Sequence, residues 1–169
     1  MSKAFTRESD DAPEPRPLPR LVSALPPGTK NYLTPDGARR LQQELDDLSQ
    51  KRSTIVALPA DSDARHHLPA LDQRIFQLQQ SLQTAVLAPA PAPPWEQVRF
   101  GATVTVRDAD GVETRYRIVG VDETDLDRDW VSWLSPIARA LLNARSGQRV
   151  RLKLPAGEEQ LEIVGIAYE

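Results

Sequence analysis

Two carboxylates, Asp61 and Asp63, stand two residues apart, and His66 and His67 follow after Ala64 and Arg65. By residue type this is the part of the chain best suited to hold a cation. Hard oxygen ligands suit cations such as Mg²⁺. The same short side chains are what tight turns and helix starts use, and Asp61, Ser62 and Asp63 read as turn and N-cap residues, with a shared cation as the alternative. Adjacent histidines on a helix point about 100° apart and rarely share one ion, and no third ligand follows nearby. That pair reads as part of a solvated turn. A second acidic run, Asp122, Glu123, Asp125, Asp127 and Asp129, lacks the glycine and terminal glutamate of a calcium loop and reads as a solvated acidic connection. The chain has no cysteine, no glycine-rich phosphate loop and no serine–histidine pair with an orienting carboxylate. No catalytic residue, metal site or cofactor is therefore assigned, and the chain is expected not to be an enzyme.

The tip residues need arms to carry them. Thr34 is a good N-cap, Pro35 suits the first helical turn, and Asp36 suits the positive end of the helix dipole. From there Leu41, Leu45, Leu48, Arg52 and Ile55 follow the alternating four–three spacing of a coiled-coil seam, interrupted by Arg52. Pro59 ends the helix. A second helix is expected from about Ala70 to Val86, with Leu68, Leu71, Ile75, Leu78 and Leu82 on one stripe and glutamines over much of the rest. Two matched stripes joined by a short loop make an antiparallel helical hairpin, assigned to residues 31–87.

Residues 1–30 carry Pro13, Pro15, Pro17, Pro19, Pro26 and Pro27 among charges of both signs and read as a disordered tail. Its apolar residues Leu18, Leu21, Val22 and Leu25 leave a partner-binding arm as the alternative. The alanine–proline run that opens residues 88–95 reads as a stiff linker. Residues 96–169 read as mostly strand. Thr103–Arg107 and Thr114–Val119 form a hairpin around Asp108–Gly111. Trp130–Leu134 is a third strand, Ser135 and Pro136 start a short helix, and Val150–Leu154 pairs with Leu161–Ala167 around Pro155–Gly157. The fold class is α+β: a helical hairpin followed by a small antiparallel sheet with one short helix packed across it.

The formal net charge is −3, which argues against a general duplex-DNA binder. No window approaches the roughly 18 apolar residues of a membrane span, and the N-terminus has no apolar signal core. The expectation is a cytoplasmic protein with no membrane partner.

Two separated segments resemble one family. Tyr32-Leu33-Thr34-Pro35-Asp36-Gly37, with Leu41, Glu44 and Leu45, is similar to the opening of the coiled coil in the bacterial Gre transcript-cleavage factors. The stretch from Arg99 to Tyr168 resembles their C-terminal domain almost end to end, through Val119–Glu123, the block Ser135-Pro136-Ile137-Ala138-Arg139-Ala140-Leu141, Pro155–Glu158 and Ile166–Tyr168. The resemblance implies an FKBP-like C-terminal fold without isomerase function. It also implies docking on the rim of the secondary channel of RNA polymerase, with the coiled coil pointing down that channel. Leu134, Ser135, Pro136, Ile137, Ala138 and Arg139 would then contact the polymerase, with nucleic acid met only through the transcription complex and the chain acting as a monomer.

Departures from the family pattern concentrate at the tip. The acidic Gly-Asp-x-Ser-Glu-Asn signature, whose carboxylates help hold a second Mg²⁺ in the family's mechanism, is missing. Between Arg52 and Arg74 the chain is shorter by about a dozen residues, which withdraws the tip by about 9 Å. Leu134 stands where a polar residue is usual, and Asn143-Ala144 where Gly-Lys is common. The leading expectation is a polymerase-binding factor that regulates elongation with weak or no stimulation of RNA cleavage. The alternatives are a cleavage factor using Asp61 and Asp63 as replacement tip acids and, remotely, a peptidyl-prolyl isomerase.

Overall fold

The structure, a computed structural model, describes residues 25–60, 62–155 and 157–168. Most of the expected tail, together with Asp61, lies outside these residues. At the near end of that tail, Pro26 to Thr29 close a turn through the Thr29 amide and the Pro26 carbonyl at 3.0 Å.

The first helix, α1 (Pro35–Val56), starts where the cap residues place it: the Thr34 hydroxyl accepts the Gly37 amide at 2.9 Å. The second, α2 (Leu68–Thr84), begins and ends about two residues earlier than the periodicity suggested. The turn between them is tightened by a 3₁₀ segment over Asp63–His67. Leu41 and Leu78 are buried in the seam, with Leu45, Leu48 and Leu82 packed against them. At the interruption, Arg52 is no void in the seam, because its guanidinium meets Asp72 of α2 at 2.5 Å. The hydrogen bond and charge of Asp72 raise the Arg52 pKa above the ordinary arginine value. One bidentate pair, Arg74 to Glu44 at 2.7 and 2.9 Å, ties the helices nearer the base.

Two three-residue strands close the base of the hairpin. β1 (Asn31–Leu33) lies parallel to β2 (Ala85–Leu87), with Asn31 opposite Ala85. The Asn31 side-chain amide donates to the Ser81 carbonyl at 3.0 Å. Neither strand was anticipated from the sequence.

The remaining strands are β3 (Ala102–Arg107), β4 (Glu113–Val119), β5 (Trp130–Ser132), β6 (Arg149–Leu154) and β7 (Gly157–Tyr168), in sheet order β5-β4-β3-β7-β6. The sheet is antiparallel with one correction: β5 runs parallel to β4. The ten residues between them, folded into two short 3₁₀ turns, supply the crossover that parallel pairing needs. β5 also ends at Ser132, two residues earlier than expected, because Trp133 and Leu134 turn toward the next helix. That helix is α3 (Pro136–Leu141).

Strand alternation sets the core. Val104 and Val106 of β3, Val150 and Leu152 of β6, and Leu161 and Ile163 of β7 face α3, which contributes Ala138 and Leu141. On β6 the intervening Arg149, Arg151 and Lys153 are exposed. Charged residues on an outermost strand discourage edge-to-edge pairing. Among the described residues no helix is long and apolar enough to cross a membrane.

Candidate functional site

Three places carry side chains that could act on a partner: the outer face of α3, the tip of the hairpin, and the joint between hairpin and sheet.

α3 is six residues long and divides cleanly into faces. The Ser135 hydroxyl caps it by accepting the Ala138 amide at 3.2 Å. Ala138 and Leu141, three apart, are fully buried against the sheet. Pro136 and Arg139, also three apart, are exposed on the opposite side, and Leu134 is half-buried in the approach loop. Asn143, at φ 68°, breaks the chain away after the helix. The six residues assigned to partner contact therefore separate. Ala138 is a core residue and is removed from the set, because no partner atom can reach it. Ile137 is half-buried and packs on the core, and the Ser135 hydroxyl is occupied in the cap. Leu134, Pro136 and Arg139 remain as accessible surface. The inward role of Ala138 was readable from its i,i+3 relation to Leu141.

At the tip, Asp63 is exposed and opens the 3₁₀ segment; Asp61 lies outside the described residues. Arg65 folds back on the end of α1, its Nε donating to the Leu58 carbonyl at 3.1 Å and its Nη2 to the Val56 carbonyl at 2.6 Å. The Val56 carbonyl is one that the helix end leaves without an intrahelical partner. His66 and His67 are exposed. Among the described residues no group of three or more histidines and carboxylates could hold a metal ion.

The joint was misread in the sequence. Glu123, expected in a solvated connection, has a fully buried side chain. Its Oε2 accepts the Thr34 amide at 2.9 Å and the Gly120 amide at 3.0 Å, and its Oε1 accepts the Thr34 hydroxyl at 2.5 Å. Asp122, its chain neighbour, accepts the Ser81 hydroxyl of α2. Around them, Trp130 carries the guanidinium groups of Arg40, Arg117 and Arg128 at 4.3, 4.8 and 5.3 Å from its ring centre. Tyr32 packs on Trp133 and Phe100 with ring centres 5.3 and 5.7 Å away. One local signal for Glu123 existed: Gly120-x-x-Glu123 has the spacing at which a glutamate reaches back to a helix's first amide.

Comparison with known proteins completes the site. The profile of the transcription elongation factor GreA/GreB C-terminal region matches residues 92–168. The transcription elongation factor GreB of Neisseria meningitidis serogroup A is 37% identical over 155 residues, covering 83% of this chain and 95% of that protein. The transcription elongation factor GreA of Alkalilimnicola ehrlichii is 37% identical over 156 residues, covering 83% of this chain and 99% of that protein. A solved GreA/GreB structure from Nitrosomonas europaea covers 82% of this chain and 100% of its own at 23% identity, with a TM-score of 0.42. The expectation that the chain is not an enzyme is corrected by these matches. Its relatives are elongation factors of the group for which the sequence resemblance implied polymerase-assisted transcript cleavage, and nothing in them marks the chain as non-catalytic.

Proposed function

Because the chain belongs to the GreA/GreB family of transcription elongation factors, we propose that it binds RNA polymerase at the rim of the secondary channel and regulates elongation there, with weak stimulation of transcript cleavage. In this reading residues 96–169 dock, residues 31–87 form the arm that enters the channel, residues 88–95 link them, and the protein acts in the cytoplasm as a monomer. The observation that carries docking is the match over residues 92–168, which contains the whole of α3 and its outward face. Leu134, Pro136 and Arg139 provide an apolar and cationic surface on a helix anchored in the core.

Weak cleavage follows from the tip. Its two acids, Asp61 and Asp63, stand in place of the family's acidic signature, and exposed Asp63 opens a 3₁₀ turn that also holds Arg65, His66 and His67. Reach supports the same conclusion. Eighty-three per cent of this chain is about 140 residues, against 155 aligned positions in the Neisseria protein. About 15 positions of that relative thus lack a counterpart here, which, if shared between two helical arms, is about 11 Å of length. A 1 Å misplacement of a catalytic group can cost about a hundredfold in rate.

The test pairs two assays on stalled elongation complexes. The protein is expected to compete with a GreB protein for polymerase while stimulating RNA cleavage at least about tenfold less, and Asp63→Ala is expected to change that residual cleavage little. Strong cleavage that vanishes in an Asp61→Ala, Asp63→Ala double variant would overturn the weak-cleavage reading and make the tip acids functional. In the competition assay, Leu134→Ala combined with Arg139→Ala is expected to weaken binding at least several-fold, since truncating an interface anchor commonly costs about 1–3 kcal/mol. Unchanged competition by that variant would place docking elsewhere.

A further inference from the structure

We infer that the adjacent carboxylates Asp122 and Glu123 form a two-pronged clasp that sets the direction of the hairpin on the sheet, one prong holding each helix. The inference rests on the polymerase-binding reading only for its functional consequence. The clasp itself is a matter of geometry.

Glu123 holds α1. A helix start of the capping-box kind carries a glutamate three residues after the cap, reaching back to the cap's own amide. In α1 that position is Gly37, which has no side chain to offer. The missing carboxylate is supplied by Glu123 from the other half of the molecule, through the Thr34 amide and hydroxyl. The space Gly37 leaves is the space Glu123 occupies: a Cβ on Gly37 would lie 1.7 Å from Glu123 Oε1. The same carboxylate takes the Gly120 amide that opens its own 3₁₀ turn, so the prong is rooted at both ends. It also carries the negative charge favoured at a helix N-terminus.

Asp122 holds α2. Its carboxylate accepts from Ser81, and Ser81 in turn is bonded through its carbonyl to Asn31 of β1. Consecutive residues of one short turn thus grip the first turn of α1 and the last turn of α2. Arg40 adds a third contact, 3.7 Å from Glu123 and stacked on Trp130.

Placement at the base matters because of leverage. α1 has 22 residues, a length of about 33 Å, so a tilt of about 10° at the clasp moves the tip by about 6 Å. Asp122 and Glu123 are positioning residues: they touch no substrate, and they decide where the tip points.

The test reads direction and function separately. The chain has no cysteine, so His66→Cys at the exposed tip and Gln160→Cys, an exposed position on β7, allow two spin labels to be placed without background. The wild-type distance distribution is expected to be single and narrow. Glu123→Ala is expected to broaden it at least about twofold, Glu123→Gln to retain part of the narrowness by still accepting amides, and Ser81→Ala, which removes the α2 prong alone, to fall between. If Glu123→Ala fails to fold, Ser81→Ala and Asp122→Asn carry the test. Distributions in the folded variants as narrow as in wild type would overturn the clasp. Competition with GreB for polymerase is measured on the same proteins. Broadening without any wild-type competition keeps the clasp and removes the polymerase reading; competition without broadening does the reverse.

Discussion

Gly37→Ala is expected to lower the thermal midpoint of unfolding by about 10 °C. Helix propensity alone predicts the opposite sign, since alanine is better than glycine inside a helix by about 1 kcal/mol. The contact overrides it. The new methyl group would overlap the Glu123 carboxylate, which must then leave a site where it is fully buried and accepts three hydrogen bonds. Disrupting a buried, hydrogen-bonded charge costs about 3–5 kcal/mol, and a chain of this size loses about 2–4 °C per kcal/mol. Differential scanning calorimetry checks it, with Gly165→Ala as the control, a glycine outside the left-handed region whose added Cβ would meet Thr105 only at an ordinary 3.7 Å. A midpoint unchanged or raised in Gly37→Ala would show that Glu123 relocates at no cost.

Leu141→Ala is the second large effect. Leu141 is fully buried and, with Ala138, fastens α3 to the sheet. Removing its branched end deletes buried apolar area and leaves a cavity under a helix only six residues long. Leucine-to-alanine changes at such sites cost about 2–5 kcal/mol. Chemical denaturation is expected to show about 3 kcal/mol lost, and competition for polymerase is expected to weaken in parallel, because the outward residues Pro136 and Arg139 ride on the same helix. Loss of stability with polymerase competition fully preserved would separate α3 from docking.

What could be read from the sequence was what local chemistry encodes. Thr34-Pro35 and Ser135-Pro136 announce two helix starts, and both hydroxyls accept the amides expected of caps. The leucine stripes and the period-two strands placed the hairpin and the sheet. The unread features depend on partners far along the chain. β1 and β2 are three residues each and pair across the whole hairpin, so neither carries a pattern of its own. Glu123 looks like any solvated acid until Thr34, 89 residues away, is brought against it. β5 is parallel because of how its crossover folds, which its three residues do not state. The clustering of arginines 40, 117 and 128 on Trp130 is likewise a product of the tertiary fold.

The separation of 89 residues between Thr34 and Glu123 also orders events on the ribosome. Both arms of the hairpin are synthesised before the turn that grips them. At about 5–20 residues per second, Thr34 waits roughly 4–18 seconds for its carboxylate. During that interval the two helices can already pair along their leucine seam, yet their heading relative to the rest of the molecule is undefined. A nascent chain interrupted before Glu123 would thus own a finished arm with nowhere fixed to point it, and the working shape of the protein arrives only with its second half.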